Sequence, residues 1–231
     1  MRQLGVFAKF WEPGAVKTRL AAAIGGSAAA RVHQACVSTL ITRFNRTADR
    51  RVLCFTPAER EREFAAIAGP AWQLQPQATG DLGRRMRHYF ETSFAAGVER
   101  AVLIGSDSPT LPITYVEEAF DRLAESPVVL GPSDDGGYYL IGLSRDIPDV
   151  FQGIDWSTSE VWRQTIGRLR AAGQSYYELP PWYDVDTGED LLRLRDELTG
   201  PMADDVTLDA LRQAIGRWGK SPGLGLIGFD I

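Results

Sequence analysis

Apolar residues follow two patterns along the chain: short continuous runs, and longer stretches in which they recur every three or four residues. The continuous runs are typical of buried strands and lie at residues 4–10, 51–55, 101–106 and 127–131. The helical spacing is found between these runs, at residues 27–46, 57–68, 82–97 and 113–124. Such alternation predicts βαβ units, and hence an α/β fold whose mostly parallel central sheet is covered by helices on both faces.

The remainder of the chain departs from this alternation. In VVLGPSDDGGYYLIGL, residues 128–143, two apolar runs flank a turn rich in Asp and Gly, which predicts a hairpin or a bent strand. Further elements are expected as helices at residues 159–172, 188–198 and 204–218, and as a strand at residues 175–179. No repeat or composition break divides the sequence, so we expect a single domain over residues 1–231, in which residues 201–231 form a helical extension and tail.

Composition narrows the possible functions. The 231 residues carry 25 Lys and Arg against 30 Asp and Glu, a net charge of −5 that argues against a nucleic-acid-binding surface. No apolar run is long enough for a membrane span and no leader peptide is evident, so we expect a cytoplasmic protein. Cys36 and Cys54 are expected to be reduced core thiols, and two histidines, His33 and His88, are too few for a histidine-rich metal site. The sequence leaves the oligomeric state open.

Four polar clusters follow predicted strands. They are the basic segment at residues 9–19, Asp107, the pair Asp134 and Asp135, and the pair Asp184 and Asp186. Ligands of open α/β sheets bind outside the carboxyl ends of the strands. We therefore expect these clusters to converge on one site.

The first cluster, KFWEPGAVKTRL, contains two of the three lysines in the chain, Lys9 and Lys17, together with Arg19. A strand, a turn at Gly14 and a following helix would present backbone N–H groups and three cations to a phosphate. The segment does not match a P-loop, because Val16 stands where the glycine before the lysine is required. The alternative is an exposed loop whose lysines are simply solvated.

The aspartates after later strands are candidate metal ligands. Asp107 directly follows a buried run and could bind Mg²⁺ or Mn²⁺, or could belong to a turn before Pro109. Asp184 and Asp186 are two residues apart, so in an extended segment both carboxylates point to one side. Helix-start chemistry accounts for Thr187 and the acidic residues after it, but not for these two aspartates. A metal site is the simplest explanation for the pair.

Two Gly-containing turns are open to more than one interpretation. Asp134, Asp135 and Gly136 form a sequence typical of tight turns, yet the glycine would also allow a ligand to approach closely. In an extended segment neighbouring side chains face opposite ways, so one of the two aspartates is expected to face the site. Asp81, in GDLGRRM, could cap the helix that follows or accept a hydrogen bond from a nucleobase.

The ordered set of motifs resembles a known family. KFWEPGAVKTRL, GDLGRRM, LIGSDSPTL, VVLGPSDDGGYYLIGL and DVDTGEDL occur in this order and cover most of residues 4–195. Together they resemble a bacterial family assigned as glycosyltransferases within the nucleotide-diphospho-sugar transferase superfamily. That superfamily has the Rossmann-like GT-A fold and includes small-molecule guanylyltransferases.

The resemblance implies where a nucleotide would bind. Its phosphates would lie at Lys9, Gly14, Lys17, Thr18 and Arg19. Its base would lie near Gly80, Asp81 and Leu82.

The resemblance also implies the catalytic and metal-binding residues. Asp107 would be the first ligand of Mg²⁺ or Mn²⁺, and Asp186, or Asp184, the second. Asp134, Asp135 and Gly136 would face the acceptor or the sugar, which makes Asp107, Asp134 and Asp135 the expected catalytic residues. Many enzymes of this fold carry Asp-x-Asp at the first metal position, but here the sequence is Ser-Asp-Ser, so the metal needs a carboxylate from elsewhere.

The expected function is a metal-dependent transferase that passes the sugar of an NDP-sugar to a small acceptor. The alternative is a nucleotidyltransferase, in which an NTP reacts with a phosphorylated small molecule and releases pyrophosphate. A nucleotide-binding module without turnover is a third and less favoured hypothesis, because a pure binder has little need for several convergent carboxylates.

Overall fold

A computed structural model of the protein describes residues 1–216. The strands are β1 (Arg2–Lys9), β2 (Arg50–Thr56), β3 (Gln73–Pro76), β4 (Arg100–Ile104), β5 (Val128–Pro132), β6 (Tyr138–Ser144) and β7 (Tyr177–Glu178). The helices are α1 (Thr18–Ile24), α2 (Gly26–Arg43), α3 (Glu61–Ala68), α4 (Leu82–Ala95), α5 (Ile113–Arg122), α6 (Val161–Ala171), α7 (Gly188–Thr199) and α8 (Asp209–Gly216). Short 3₁₀ turns precede α3 and α8, at Ala58–Arg60 and Val206–Leu208.

The strands form one sheet in the order β3-β2-β1-β4-β6-β5-β7. Pairing is parallel between β1 and β2, β1 and β4, β2 and β3, and β5 and β7. Strand β6 pairs antiparallel with both β4 and β5, so the segment at residues 128–143 is a hairpin. The predicted α/β fold with a mostly parallel central sheet is therefore confirmed.

Both faces of the sheet are buried, which explains the continuous apolar runs. On one face Leu4 and Val6 of β1 pack with Leu40 of α2. On the other face α4 packs so closely on β1 that a Cβ at Gly5 would lie 2.6 Å from the ring of Tyr89. The Tyr89 hydroxyl donates to the carbonyl of Val102 in β4, at 3.0 Å, and so keeps its buried oxygen hydrogen-bonded.

A third apolar cluster joins the two ends of the described chain. Leu20 and Cys36, from α1 and α2, pack with Leu191 of α7 and Leu211 of α8.

The single domain stays a prediction, and the end of the helix expected at residues 204–218 lies outside the described residues. No helix within residues 1–216 has the length and apolar character that a membrane crossing needs.

Several predicted elements differ in extent from the observed ones. The helix predicted at residues 159–172 begins at Val161, and the strand predicted at residues 175–179 contains Tyr177–Glu178. Strand β3 was not predicted, because its four residues, QLQP, are polar at alternate positions and lie at the sheet edge. The basic segment leads into the separate short helix α1, which ends at Gly25, a residue with φ +82°.

Candidate functional site

The carboxyl ends of β1 and β4 and the loops after β5 and β7 enclose a cleft with two lobes. The larger lobe, of about 700 Å³, has walls formed by the hairpin turn and by residues 156–159. We call it the hydroxyl lobe, since Ser133 and residues 157–159 supply four hydroxyl groups. The smaller lobe, of about 430 Å³, is lined by Lys9, Lys17 and Arg85, and we call it the basic lobe.

The two lobes meet at a shared set of side chains: Leu82, Asp107, Tyr138, Asp184 and Asp186. A backbone hydrogen bond brings the carboxylates together, because the N–H of Val185 donates to the carbonyl of Asp107 at 2.8 Å. Asp184 and Asp186, on either side of Val185, thus lie beside the end of β4. The expected convergence of strand-end aspartates is found at this junction.

Lys17 lies between two of these carboxylates. Its Nζ is 2.8 Å from Asp186 and in ionic contact with Asp107, and its side chain is only 2% exposed. Burial would lower the pKa of Lys17, but the two carboxylates outweigh burial and raise it above its ordinary value. Lys17 also has φ 49°, a left-handed conformation that costs a non-glycine residue about 1–3 kcal/mol. Lys17 therefore combines a strained backbone conformation with a side chain that two carboxylates hold in place.

Asp186 is held by a second cation and by the start of α7. Arg19 donates to its carboxylate at 2.7 Å, while Arg19 itself is 60% exposed. Thr187 is the N-cap of α7, as predicted, and forms a capping box with Asp190. The Asp190 carboxylate also accepts from the backbone N–H of Asp186, at 3.0 Å. The direction of the Asp186 side chain is therefore fixed from both sides.

Asp184 has a different environment from Asp186. Its carboxylate accepts a hydrogen bond from Ser108 Oγ at 2.6 Å. Burial, followed by the negative charge of Asp107, raises the pKa of Asp184 to about 7. Asp135 lines the same lobe as Asp184 and contributes a smaller part of this rise in pKa.

The rest of the basic lobe is held together by internal hydrogen bonds. Lys9 Nζ donates to the carbonyl of Ala15 at 2.8 Å and closes the basic segment on itself. His33 Nε2 lies 2.9 Å from the carbonyl of Lys9, and because a carbonyl only accepts, this nitrogen carries the proton. The other ring nitrogen, Nδ1, is buried, lies 3.8 Å from Asp107 and has no hydrogen-bond partner within residues 1–216. Burial lowers the pKa of His33, which favours the neutral ring.

The start of α4 forms the wall that both lobes share. Asp81 caps this helix, because its carboxylate accepts from the backbone N–H of Arg84 at 2.8 Å. Arg85 donates to the carbonyl of Gly80 at 2.9 Å, and Leu82 reaches into both lobes. Gly80 and Asp81 themselves do not line either lobe, and neither do Gly14 and Thr18 of the basic segment.

The hairpin turn directs its two aspartates differently. Asp135 lines the hydroxyl lobe, and its Oδ1 accepts from Ser133 Oγ at 2.5 Å and from the N–H of Gly137 at 3.0 Å. Asp134 points away, is 57% exposed and pairs with Arg193 at 3.2 Å. Gly136, with φ +89°, does not line the lobe, and its Cα faces the carbonyl of Ser159 so closely that a Cβ would lie 2.4 Å from that oxygen. One aspartate of the pair therefore faces the cleft.

Several lining residues were not singled out from the sequence. Among them are His33 and Arg85 of the basic lobe, Trp156 of the hydroxyl lobe, and the serines and threonine at residues 157–159. His33 carried a signal, because it is a polar residue on the buried face of α2. Within the part of the chain that the structure describes, no three His, Cys, Asp or Glu side chains are grouped as a ready-made metal site. Any bound cation would need further ligands from water or substrate.

Comparisons with known proteins agree with this fold. The chain is 35% identical to a protein of Desulfovibrio desulfuricans G20 described as a "putative nucleotide-diphospho-sugar transferase", with 94% of this chain and 97% of that chain covered and a TM-score of 0.85. A cytidylyltransferase of Leptospira borgpetersenii shares the fold at 12% identity, with 94% of each chain covered and a TM-score of 0.58. The inositol-1-phosphate CTP transferase of T. maritima does so at 14% identity, with 92% and 97% covered and a TM-score of 0.57.

The expected resemblance to nucleotide-diphospho-sugar transferases is thereby confirmed, and the expected transferase activity agrees with the description of the 35% identical relative. A search of curated proteins gave no match. Residues 39–158, about half of the chain, match the family described as "Uncharacterized protein conserved in bacteria (DUF2064)". The chain therefore belongs to the DUF2064 family.

Proposed function

We propose that the protein is a transferase that binds an NDP-sugar in the basic lobe and passes the sugar to a small acceptor in the hydroxyl lobe, with Mg²⁺ or Mn²⁺ at the junction. The observation that carries this proposal is that two differently lined lobes meet at three carboxylates. A transfer between two substrates needs both bound at once with their reacting atoms in contact. The name of the 35% identical relative supports the same class of donor.

The junction has the donor atoms that a hard divalent cation prefers. Its carboxylates supply only oxygen ligands, and two of the three, Asp107 and Asp186, contact the cations Lys17 and Arg19. Asp186 is paired with both of these cations and Asp107 with Lys17 alone, whereas Asp184 contacts the neutral hydroxyl of Ser108. Asp107 and Asp184 are therefore the better pair to hold Mg²⁺, with substrate phosphates and water as the remaining ligands. Asp186 would then keep Lys17 and Arg19 in place.

The chemistry requires charge stabilisation and one proton acceptor. The acceptor hydroxyl would form a bond to the anomeric carbon of the sugar, while the bond from that carbon to the diphosphate oxygen breaks and its electron pair leaves with the NDP. A bound divalent cation would supply positive charge to the diphosphate. Lys17 and Arg85 would orient the diphosphate and stabilise its charge. Asp135, whose Oδ1 is already hydrogen-bonded, would accept the hydroxyl proton on Oδ2.

Nucleotidyl transfer is the second candidate. The observation in its favour is that three cations, Lys9, Lys17 and Arg85, line the basic lobe, which suits the higher charge of a triphosphate. In that case a phosphate oxygen of the phosphorylated second substrate would form a bond to the α-phosphorus of the NTP, while the bond from that phosphorus to the pyrophosphate oxygen breaks and pyrophosphate leaves.

A thermal-shift panel of NDP-sugars and NTPs, each with and without Mg²⁺, tests the proposal. A ligand at about 100 times its dissociation constant adds about 2.7 kcal/mol of stability. In a protein of this size that is several degrees, at about 2–4 °C per kcal/mol. We expect a Mg²⁺-dependent shift with an NDP-sugar, and Asp107→Asn should abolish the Mg²⁺ dependence. A shift with one NTP alone would favour nucleotidyl transfer, and no shift with any nucleotide would contradict both candidates.

A further inference from the structure

The two lobes differ in the charges that they present to a substrate. Arg19 is the one cationic side chain among the described residues that line the hydroxyl lobe, and it is already paired with Asp186 at 2.7 Å. The same lobe is lined by Asp135 and by the three junction carboxylates. A phosphate group in this lobe would face these carboxylates without an unpaired cationic side chain among the described residues, and a cation at the junction would already be shared with the donor phosphates, whereas the basic lobe offers Lys9 and Arg85.

The remaining walls of the hydroxyl lobe suit a neutral, hydroxyl-rich molecule. Trp156 is half-buried and fixed in position, since it meets Tyr138 edge to face with ring centroids 6.4 Å apart. It also packs against Gly83, where a Cβ would lie 2.7 Å from the indole nitrogen. An indole face that is held in place offers apolar contact to the C–H groups of a sugar ring or polyol. Ser157 and Ser159 are exposed and add hydroxyl groups that both donate and accept hydrogen bonds, while the Thr158 hydroxyl donates to the carbonyl of Asp155 at 2.7 Å.

Asp135 completes the recognition of a hydroxyl donor. Its Oδ1 is held by Ser133 and Gly137, while Oδ2 accepts no hydrogen bond from residues 1–216. An ionised carboxylate accepts hydrogen bonds and donates none, so it attracts an alcohol and repels a phosphate oxygen. The orientation of this free oxygen is set before a substrate binds.

We propose that the acceptor is an uncharged, hydroxyl-rich molecule such as a sugar or a polyol, which presents an unphosphorylated hydroxyl to Asp135. This inference rests on the proposed function, because it assumes that a nucleotide occupies the basic lobe. It also separates the two candidate reactions, since nucleotidyl transfer to a phosphorylated acceptor would bring a second phosphate into the hydroxyl lobe.

The test uses matched pairs of acceptors. The full-length protein, Mg²⁺ and the stabilising nucleotide from the thermal-shift panel are combined with free sugars and polyols, and in parallel with the phosphate monoester of each. Release of NDP, or of pyrophosphate, is measured as a function of acceptor concentration. We expect kcat/KM to be at least about tenfold higher for unphosphorylated members, since like charges in a cleft repel strongly.

A variant with an added positive charge tests whether the preference for unphosphorylated acceptors arises in the hydroxyl lobe. Ser159→Arg adds a cation at an exposed lining residue whose hydroxyl makes no hydrogen bond within residues 1–216, and Ser175→Arg is the same change at an exposed serine outside both lobes. Ser159→Arg should reduce the preference for unphosphorylated acceptors by about fivefold or more, and Ser175→Arg should leave it unchanged.

The outcomes distinguish this inference from the proposed function. If no nucleotide stabilises the protein, the proposed function fails and the inference fails with it. If a nucleotide binds with Mg²⁺ but the phosphate monoesters react as well or better, or no unphosphorylated member reacts, the inference is overturned while nucleotide binding stands. An equal change of preference in both arginine variants would also overturn it.

Discussion

The basic lobe and the hydroxyl lobe share three carboxylates, but their other walls differ in construction. In the basic lobe, Lys9 donates a hydrogen bond to the carbonyl of Ala15, and His33 donates one to the carbonyl of Lys9. Lys17 forms ion pairs with Asp107 and Asp186. The hydroxyl lobe is formed by an exposed loop and a hairpin turn, with Trp156 as its one large half-buried side chain among the residues not shared with the basic lobe. In the basic lobe, therefore, the side chains are bonded to the protein itself, whereas the hydroxyl lobe keeps polar atoms such as Asp135 Oδ2 that have no hydrogen-bond partner among the described residues.

Removing a shared carboxylate should have the largest effect, because it affects both lobes. We expect Asp107→Asn and Asp184→Asn each to lower kcat/KM by about 100- to 1000-fold, as loss of a group that stabilises developing charge does. The measurement is steady-state turnover at several Mg²⁺ concentrations, with melting temperatures as the control for folding. Full activity of either variant at wild-type Mg²⁺ would place the metal elsewhere.

Removing Asp135 should affect the hydroxyl lobe alone. We expect Asp135→Asn to lower kcat by about 100-fold or more, the usual contribution of a general base, while the dissociation constant of the nucleotide stays within about twofold. Calorimetry and turnover assays measure the two quantities. Asp134→Asn is the comparison, because Asp134 lies next in sequence but pairs with Arg193 outside the cleft. Equal losses in both variants would contradict the assignment of Asp135.

Removing Lys17 should weaken nucleotide binding in the basic lobe, and it also removes the cation between the shared carboxylates Asp107 and Asp186. Methionine has similar length and no charge, so Lys17→Met removes the ammonium group with little change in packing. We expect nucleotide affinity to fall about tenfold or more, since hydrogen bonds between charged groups contribute about 1.5–3 kcal/mol. Calorimetric titration of the same nucleotide into both proteins measures the change. Unchanged affinity would show that Lys17 does not bind the nucleotide phosphates and serves only as an ion-pair partner of Asp107 and Asp186.

We expect the smallest effect when the hydrogen bond from His33 to the Lys9 carbonyl is removed from the basic lobe. His33→Ala removes the donor to the Lys9 carbonyl and should lower the free energy of unfolding by about 1–3 kcal/mol. His33→Gln can keep an N–H near the position of Nε2 and should lose less. Urea unfolding of the three proteins measures the difference. If both variants lost the same amount, the bond from His33 to Lys9 would not account for the stability of this wall.

The sequence predicted the architecture because burial on both sheet faces leaves a clear pattern. The runs at β1, β2, β4 and β5 were found within a few residues, and the Asp-Gly turn correctly indicated the hairpin with β6. Strand β3 left no such pattern, since it is short and lies at the sheet edge. The 3₁₀ turn before α8 was also missed, because helical spacing in residues 206–216 does not distinguish 3₁₀ from α geometry.

The site was only partly predictable because its decisive contacts are long-range. Lys17 was identified as important, but its contact with Asp186 joins residues 169 positions apart, and no local pattern reveals it. Asp134 and Asp135 were indistinguishable in sequence, since turn geometry alone decides which one faces the cleft. Trp156 and the hydroxyl groups after it lie in an irregular loop, where neither periodicity nor a known motif marks a lining residue.

A crystal structure with Mg²⁺ and the stabilising nucleotide tests the central claim most directly. The account predicts that the nucleotide phosphates lie in the basic lobe, within hydrogen-bonding distance of Lys17 or Arg85, and that the metal contacts Asp107 and Asp184. It also predicts that the transferred group points toward Asp135. A nucleotide whose phosphates lie in the hydroxyl lobe, or a metal bound away from Asp107, would contradict the account.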